Sequence, residues 1–346
     1  MSLLPYLHRA AAGEHLDASQ AEQAMAVILG GGASTAQIAA FLVALRMKGE
    51  TAGELLGFAR AMRAVASRVV LEEGGGPLLD TCGTGGDGHG TFNISTVAAF
   101  IVAGAGVRVA KHGNRSISSG CGSADVLERL GVRIALDADH VARAIREVGI
   151  GFMFAPAFHP AMRHAQPARL ELKMRTVFNL LGPLTNPAGA SVQIVGAPSP
   201  RAAELMAEAL AALGLERGFV VHGSDGLDEI TTTGPTLVFE IRGGEVAQRT
   251  VSPEDFGVPR AALEDLKGGD ATANSEIARA VLAGAAGPKR DVALVNAAAA
   301  LVAAGRAPDF VSGMRLAAEA IDSGAALAKL EQLAAFGQPT ACPRTA

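Results

Sequence analysis

Residues 80–96 read DTCGTGGDGHGTFNIST, and this stretch decides the fold. It closes a short apolar strand, predicted at Leu78–Cys82, and opens a helix, predicted at Ile94–Gly104. Glycines allow the backbone to approach a ligand closely, and a helix N-terminus offers unpaired N–H groups with a positive dipole end. The junction therefore predicts a phosphate-binding loop at the carboxyl end of a strand.

Two familiar phosphate motifs compete for this loop. Gly83, Gly85 and Gly88 have the G-x-G-x-x-G spacing of dinucleotide-binding folds, which is a weak indication by itself. A nicotinamide site needs an acidic residue near the end of the second strand, whereas residues 110–115 read AKHGNR and are cationic. No Gly-Lys-Ser/Thr follows the glycines, which excludes a P-loop. A tight turn without a ligand is the plainer alternative, but a second polar loop at the next strand end disfavours it.

Short apolar strands alternate with helices beyond this junction, which predicts an α/β fold with a mostly parallel central sheet flanked by helices. A different pattern at 229–250 predicts a small antiparallel meander, and the Ala-rich tail from 274 to 336 is predicted to be helical. The remaining strands are predicted at 107–111, 132–136, 150–154, 191–195 and 219–222, and the remaining helices at 123–130, 138–148 and 199–213.

The first 70 residues lack strands and predict a helical unit. Ser19-Gln-Ala-Glu22 and Thr51-Ala-Gly-Glu54 have capping-box spacing, and Ser34 can cap the helix between them. The Gly- and Pro-rich run at 72–77 then breaks the pattern. We predict a small N-terminal helical domain over residues 1–73 and a larger α/β domain over 74–346, with a helical segment near 160–190 joining the small domain.

Composition excludes several classes of protein. The 346-residue chain is 49% hydrophobic and 18% charged with a net charge of −4, which predicts a large core and disfavours nucleic acid or a membrane surface as a partner. Its longest apolar stretches, such as 98–107, are too short to span a bilayer, and no signal peptide is evident. Three sparse cysteines, Cys82, Cys121 and Cys342, fit a reducing compartment, so a cytoplasmic location is expected.

The second polar loop, residues 111–119, reads KHGNRSISS and precedes another predicted helix start at 122–125. Ligands of parallel sheets bind at the carboxyl ends of the strands, so both loops should converge on one polyanion. Lys111 and Arg115 would supply the cations. His112 has two interpretations that the sequence leaves open: a structural histidine, or one that stacks on or hydrogen-bonds an aromatic acid.

Two further features carry charge. Arg163, Arg169 and Arg175 are spaced by six residues, so on one helix successive arginines would point about 240° apart and at most one or two would enter a pocket. Each alone is more typical of a solvated or structurally paired arginine. Asp228-Glu229 follows a predicted strand in a Gly-rich turn, and two carboxylates suit Mg²⁺, although such pairs are also common on surfaces.

Seven motifs in order resemble those of the anthranilate phosphoribosyltransferases: DTCGTGGDG, TFNIST, KHGNRSISS, GSAD, HPAM, RTVFNLLGPLTNP and GLDEI. The segments QIAAFLVALRMKGET and NAAAALVAAG resemble the same family, so the resemblance spans nearly the whole chain. It implies an active site between a hinged helical domain and the α/β domain, and a homodimer formed through the helical domain. Lys173 stands where this family is expected to have glycine.

The resemblance also implies roles for single residues. Ser95, Asp228 and Glu229 would bind Mg²⁺, and Gly83, Asn114 and Arg169 would bind anthranilate, with His112, Gly182 and Pro183 lining its path. Contacts to phosphoribosyl pyrophosphate (PRPP) are implied for Gly83, Gly86, Asp87, Thr91, Asn93, Ile94, Ser95, Thr96, Lys111, His112, Gly113, Asn114, Arg115, Ser116, Ile117, Ser118, Ser119 and Ser123.

The expected reaction joins the amine of anthranilate to the ribose carbon of PRPP and releases pyrophosphate. Lys111, Asn114 and Arg169 are the expected catalytic residues, and no general base is nominated because an aromatic amine is unprotonated at pH 7. Two alternatives remain at this point. A pyrimidine nucleoside phosphorylase would not need the Asp228-Glu229 pair, and a non-catalytic nucleic-acid-binding relative would need a basic surface.

Overall fold

The computed structural model describes residues 2–72, 74–116 and 120–337. Its centre is a seven-stranded sheet in the order β3-β2-β1-β4-β5-β6-β7. The first five strands in this order are parallel, and β6 and β7 continue the sheet antiparallel to β5 and to each other. The strands are β1 (Leu78–Gly83), β2 (Arg108–Gly113), β3 (Ile150–Phe154), β4 (Val192–Gly196), β5 (Arg217–Gly223), β6 (Thr236–Arg242) and β7 (Glu245–Val251).

Helices cover both faces of this sheet, as its apolar strands require. One face packs against α5 and α13, with α12, α14 and α15 outside them, and the other packs against α11. A mostly parallel sheet between helices confirms the predicted fold class. These helices are α5 (Ile94–Gly104), α6 (Ser123–Arg129), α7 (Ala138–Glu147), α11 (Pro200–Ala212), α12 (Ala271–Leu282), α13 (Pro288–Ala303), α14 (Phe310–Asp322) and α15 (Ala325–Ala335).

The small helical domain is built from α1 (Leu4–Ala11), α2 (Ala18–Leu29), α3 (Thr35–Lys48) and α4 (Ala52–Ala64). Ser34 and Thr51 cap α3 and α4 as predicted. The capping box assigned to Ser19 and Glu22 is wrong: Asp17 caps α2 and pairs with Gln20, so the helix begins one residue before Ser19. Aspartate caps as well as serine does, and the two candidate boxes overlap in sequence.

The segment between β3 and β4 is a chain of short helices. It comprises α8 (Ala155–Phe158), a 3-10 helix (Pro160–His164), α9 (Gln166–Leu172), α10 (Phe178–Leu181) and a second 3-10 helix (Pro183–Thr185). α9 packs on α3 and α10 packs on α4, so the segment shares its core with the helical domain. The single helix assumed for Arg163, Arg169 and Arg175 is therefore wrong, because α9 ends at Lys173 in a left-handed turn with φ of 47°.

Two other predicted elements differ. Residues 132–136 form no strand, although Val132, Ile134 and Leu136 are buried. An alternating apolar pattern shows only that one face of a segment is buried. This segment has no place beside β2 in the sheet, because β1 and β3 already flank that strand. The meander predicted for 229–250 is only β6 and β7, and it extends the central sheet instead of standing apart.

Within residues 2–72, 74–116 and 120–337, no helix combines the length and apolarity that a bilayer crossing requires. Cys82 and Cys121 are free thiols, and Cys342 lies outside the described residues.

Candidate active site

A cavity of about 460 Å³ opens where the carboxyl ends of β1, β2 and β5 meet the segment between β3 and β4. Ile117, Ser118 and Ser119 lie outside the described residues. Every other residue of the predicted site lines this cavity: Gly83, Gly86, Asp87, Thr91, Asn93, Ile94, Ser95, Thr96, Lys111, His112, Gly113, Asn114, Arg115, Ser116, Ser123, Arg169, Gly182, Pro183, Asp228 and Glu229.

The glycine loop, residues 83–88, is held at its base and open at its tip. Thr84 N–H donates to the Gly196 carbonyl at 3.0 Å, and Gly85 N–H donates to Asp228 Oδ2 at 2.7 Å. Gly85, Gly86 and Gly88 all have positive φ, which favours glycine. Among the described residues, the N–H groups of 86–88 have no protein acceptor. The loop can therefore present backbone donors to an anion.

The start of α5 differs from the expectation of unpaired N–H groups. Ser95 N–H donates to Glu229 Oε1 at 3.1 Å, and Thr96 N–H donates to the Asn93 carbonyl at 3.1 Å. A carboxylate of the chain thus takes the position at the helix N-terminus that a ligand anion would take. The available backbone donors lie in the glycine loop instead.

Three carboxylates converge beside the loop. Burial and the neighbouring Asp87 raise the pKa of Asp228 to about 6, and burial and Asp228 raise the pKa of Glu229 to about 8. Burial is the larger cause for both groups, so their ionised forms are poorly solvated and a nearby cation would favour them. No cluster of three or more His, Cys, Asp or Glu side chains forms a complete cage in the described part of the chain. Two carboxylates with open coordination positions fit Mg²⁺, which keeps waters and phosphate oxygens as its other ligands.

Two glycines make room for Asp228. A Cβ on Gly83 would overlap Asp228 Oδ2, and a Cβ on Gly196 would overlap the Asp228 carbonyl oxygen. No side chain can occupy these positions without moving the carboxylate. The glycines at the ends of β1 and β4 therefore determine where the acidic pair lies.

The Lys111 side chain, expected to bind an anion, is already hydrogen-bonded within the protein. Its Nζ is buried and donates to the Thr81 carbonyl, with the Ser95 hydroxyl at 3.4 Å. Burial lowers the pKa of Lys111, while the nearby Asp80 carboxylate favours its charged form. Asp80 is itself fixed by hydrogen bonds from His112 N–H and the Asn186 side chain. Lys111 thus contributes a positioned charge at the cavity floor.

Arg115 forms ion pairs that fix its own loop to α6. Its guanidinium binds Asp125 at 2.7 Å and Glu128 at 2.9 Å, and it lies 5.8 Å from the Phe154 ring centroid. Asp125 also accepts from the N–H of Gly122 at 2.9 Å. The charge of Arg115, which the sequence assigned to an anion, is therefore compensated by α6.

His112 is neutral in this environment. Burial and the neighbouring His159 ring, 5.1 Å away between centroids, lower the pKa of His112 to about 3. Its Nδ1 lies 3.2 Å from the Gly182 carbonyl, an acceptor only, so Nδ1 carries the proton. Nε2 is then a buried acceptor without a partner among the described atoms. His112 therefore has a structural hydrogen bond to Gly182 and also an unpartnered acceptor at the cavity, so both interpretations stay open.

Two arginines enter the cavity from the segment between β3 and β4. Arg169 lies over the Phe178 ring at 5.3 Å and has only Gln166 as a hydrogen-bond partner among the described residues, at 3.5 Å. Burial lowers its pKa. Arg175, predicted to face away from Arg169, lines the same cavity. The opposed orientation is wrong because α9 ends at Lys173, so the two arginines do not share one helix, whereas the expected limit of one or two arginines in the pocket holds.

Sequence reasoning also missed Asn274 at the start of α12. This buried side chain donates to Asn93 Oδ1 at 3.1 Å and accepts from Gly269 N–H at 2.8 Å. Asn93 in turn donates to the Cys121 carbonyl at 3.3 Å. The available indication was the Gly-Gly-Asp run at 268–270, a loop and helix cap in a tail interpreted only as helical.

Comparison with known proteins gives two matching sequence families. Residues 4–66 match the glycosyl transferase family, helical bundle domain, and residues 75–327 match the glycosyl transferase family, a/b domain. The anthranilate phosphoribosyltransferase of Solibacter usitatus is 69% identical over 97% of this chain and 99% of that protein. That of Moorella thermoacetica is 56% identical over 95% of this chain and 97% of that protein.

Solved structures agree with these matches. The crystal structure of anthranilate phosphoribosyltransferase from Thermus thermophilus superposes with a TM-score of 0.90 at 46% identity, covering 97% of this chain and 99% of that one. The Saccharomyces cerevisiae enzyme in complex with PRPP and Mg superposes with a TM-score of 0.89 at 30% identity, covering 96% and 97%.

Proposed function

The chain belongs to the anthranilate phosphoribosyltransferase family of glycosyl transferases, and from this premise we propose how its own residues carry out the reaction. The enzyme transfers the 5-phosphoribosyl group of PRPP to the amine of anthranilate, a step of tryptophan biosynthesis. One observation supports this most. A single cavity is lined by the glycine loop, by the acidic pair Asp228 and Glu229, and by Arg169, which has no acidic partner among the described residues.

PRPP occupies the glycine-loop side of the cavity in this proposal. The N–H groups at 86–88 and the buried charge of Lys111 would bind the diphosphate, and the loop at 111–116 would bind the remaining phosphate. Preorganised donors stabilise charge that develops on a leaving group because they need no reorganisation during the reaction.

Mg²⁺ is proposed to bind at Asp228 and Glu229, with the Ser95 hydroxyl nearby. The raised pKa values of the two carboxyls support this, since a divalent cation would favour the ionised carboxylates that burial disfavours. When bound, the metal supplies Lewis-acid stabilisation of the departing pyrophosphate. A yeast relative has been solved with PRPP and Mg.

Anthranilate is proposed to occupy the opposite wall, between Arg169, His112 and Pro183. In the part of the chain that the structure describes, Arg169 has no carboxylate partner, so its guanidinium can pair with the carboxylate of the substrate. His112 Nε2 is an uncharged acceptor for the amine N–H. The amine is already nucleophilic, so orientation against the ribose carbon supplies most of the rate.

The fluorescence of anthranilate tests the proposed reaction. Its signal should disappear only when enzyme, PRPP and Mg²⁺ are all present, with one pyrophosphate released per anthranilate consumed. Consumption without Mg²⁺, or phosphorolysis of a pyrimidine nucleoside at a comparable rate, would contradict the proposal and support the phosphorylase alternative.

A homodimer through the helical domain is proposed on a separate observation. Four apolar side chains are exposed on α1, on α3, and on α9 and just beyond it: Leu4 (40%), Met47 (84%), Leu170 (57%) and Met174 (39%). The helix α3 packs on both α1 and α9. Exposed apolar patches of this kind mark contact surfaces. Light scattering should give twice the chain mass, and Met47→Asp with Leu170→Asp should give the single-chain mass. Val311→Asp, at an exposed site on α14, is the control, and an unchanged mass in the double variant would contradict this interface.

A cytoplasmic location is proposed from the free thiols of Cys82 and Cys121. Recovery of the native protein with the membrane or secreted fraction of its source cells would contradict it.

A further inference from the structure

Arg175 connects the helical domain to the glycine loop. Its Nη1 donates to the Gly86 carbonyl at 2.7 Å, and its own carbonyl accepts from Nη1 of Arg46 at 2.9 Å. Arg46 belongs to the last turn of α3. Two hydrogen bonds therefore run from a helix of the small domain, through the backbone and side chain of one residue, to the tip of the loop.

Arg175 is half-buried on the cavity wall, and its Nη2 is fully buried. Its Nη2 has no hydrogen-bond partner among the described atoms, and no acidic side chain of residues 2–72, 74–116 or 120–337 forms an ion pair with it. An arginine that served only to fasten a surface loop would normally have both nitrogens paired or solvated. The side chain is thus held in place by the Gly86 contact and directed along the cavity.

Among the described residues, Arg175 makes the one hydrogen bond from a distant part of the chain to the tip of the glycine loop, residues 86–88. The base is fixed at Thr84 and Gly85, whereas Gly86 and Gly88 have positive φ and the N–H groups of 86–88 have no acceptor among the described residues. A loop that is free before binding must be ordered when its ligand binds, which weakens affinity. A donor that fixes the Gly86 carbonyl removes part of that cost in advance.

We propose that Arg175 is a positioning residue for the PRPP site, and that through Arg46 it makes the geometry of the glycine loop depend on the position of the helical domain. The inference rests on the proposed function only in identifying the loop's ligand as PRPP. Binding on one side of the cavity would then be sensitive to domain movement on the other side.

Hydrogen exchange of the free enzyme, followed by mass spectrometry, measures the loop without any substrate. In peptides spanning 83–90, Arg175→Gln should speed exchange of the hydrogen-bonded Thr84 and Gly85 amides about tenfold or more, since one charged hydrogen bond is lost. Arg46→Ala, which touches neither the loop nor the cavity, should speed the same peptides by a smaller factor, on the order of threefold. Arg175→Lys keeps one donor and should restore slow exchange in part.

Controls and kinetics complete the test. Arg60 on α4 and Arg163 are exposed, and neither lines the cavity, so Arg60→Ala and Arg163→Ala should leave loop exchange unchanged. Arg175→Gln and Arg46→Ala should both raise the KM for PRPP while the KM for anthranilate changes little. Identical loop exchange in Arg46→Ala and Arg60→Ala would overturn the coupling. Absence of turnover in the wild type would instead overturn the proposed function, and the exchange result would still decide this inference.

Discussion

Lys173 has a left-handed backbone conformation that is unfavourable for a residue with a side chain. Within the described residues it is the only one other than glycine with positive φ, at the C-terminus of α9. Left-handed backbone disfavours any residue with a Cβ, and glycine is the common helix terminator there. The glycine expected from the family resemblance is therefore what the backbone requires.

Lys173→Gly should stabilise the fold. Relief of the left-handed strain exceeds the added flexibility of the unfolded chain, so the free energy of unfolding should rise by about 0.5–1 kcal/mol. Lys173→Ala keeps the Cβ and is the matched control, with no comparable gain. Urea denaturation of the three proteins decides this, and equal midpoints for Gly and Ala would show that the backbone is not strained.

Gly83→Ala tests the placement of the acidic pair. The new methyl group would overlap Asp228 Oδ2, so the carboxylate must move. We expect kcat/KM for PRPP to fall at least about tenfold, because a small displacement of a catalytic group is costly. A higher Mg²⁺ requirement should accompany the fall. Gly53→Ala on α4, where the nearest atom to the new methyl group would be 4.0 Å away, should have wild-type kinetics. Wild-type kinetics in Gly83→Ala itself would refute this placement.

At the scale of elements, the strand–loop–helix junction at 78–104 could be predicted from the sequence because its glycines, apolar runs and helix start are all local. The segment at 160–185 could not. Arg169 and Arg175 line one cavity although α9 ends at Lys173 between them, and periodicity assumes one continuous helix. Residues 132–136 show the same limit, since alternation cannot reveal that no neighbouring strand is available.

Asn274 connects the C-terminal helices to the PRPP side of the site. Asn274→Ala removes the partner of the half-buried Asn93 side chain and of the Gly269 N–H, and each lost hydrogen bond costs about 1 kcal/mol. We expect lower stability and a KM for PRPP raised severalfold, with the KM for anthranilate nearly unchanged. Thr272→Ala, an exposed position on the same helix, is the control. Equal increases in both KM values would show that α12 supports the site only in a general way.

At the scale of the molecule, two buried histidines make stability depend on pH. The pKa of His112 is lowered to about 3 and that of His159 to about 4, in each case chiefly by burial, from 6.5. The unfolded chain therefore binds protons more readily between pH 6.5 and these values, so stability falls as pH decreases through that window. Each histidine can contribute at most about 1.4 kcal/mol per pH unit.

Denaturant unfolding from pH 7.5 to 4.5 measures this effect. His159→Gln should show a shallower loss of stability below pH 6.5 than the wild type. His164→Gln is the control. Parallel curves for the wild type and His159→Gln would show that His159 is not buried in its neutral form.

At the scale of the whole molecule, the proposed function puts PRPP and anthranilate on opposite walls of one cavity. The two polar loops were predicted to converge because both follow strand ends, which a parallel sheet brings to one edge, whereas the roles of single residues came from the family resemblance. The sequence did not predict which of the cationic side chains at the cavity are paired within the protein and which are available to a ligand. Arg115 is paired with Asp125 and Glu128, Lys111 is buried, and Arg175 is directed inward, and each of these follows only from tertiary contacts.

Steady-state kinetics of two variants gives the sharpest test of the proposal that anthranilate and PRPP bind on opposite walls of the cavity. Arg169→Ala should raise the KM for anthranilate at least about tenfold, the cost of one charged hydrogen bond, and change the KM for PRPP little. Asp228→Asn with Glu229→Gln should do the reverse, raising the PRPP and Mg²⁺ requirements while the KM for anthranilate stays near its wild-type value. Arg169→Ala with a wild-type anthranilate KM, or both variants weakening both substrates equally, would contradict the two-walled site.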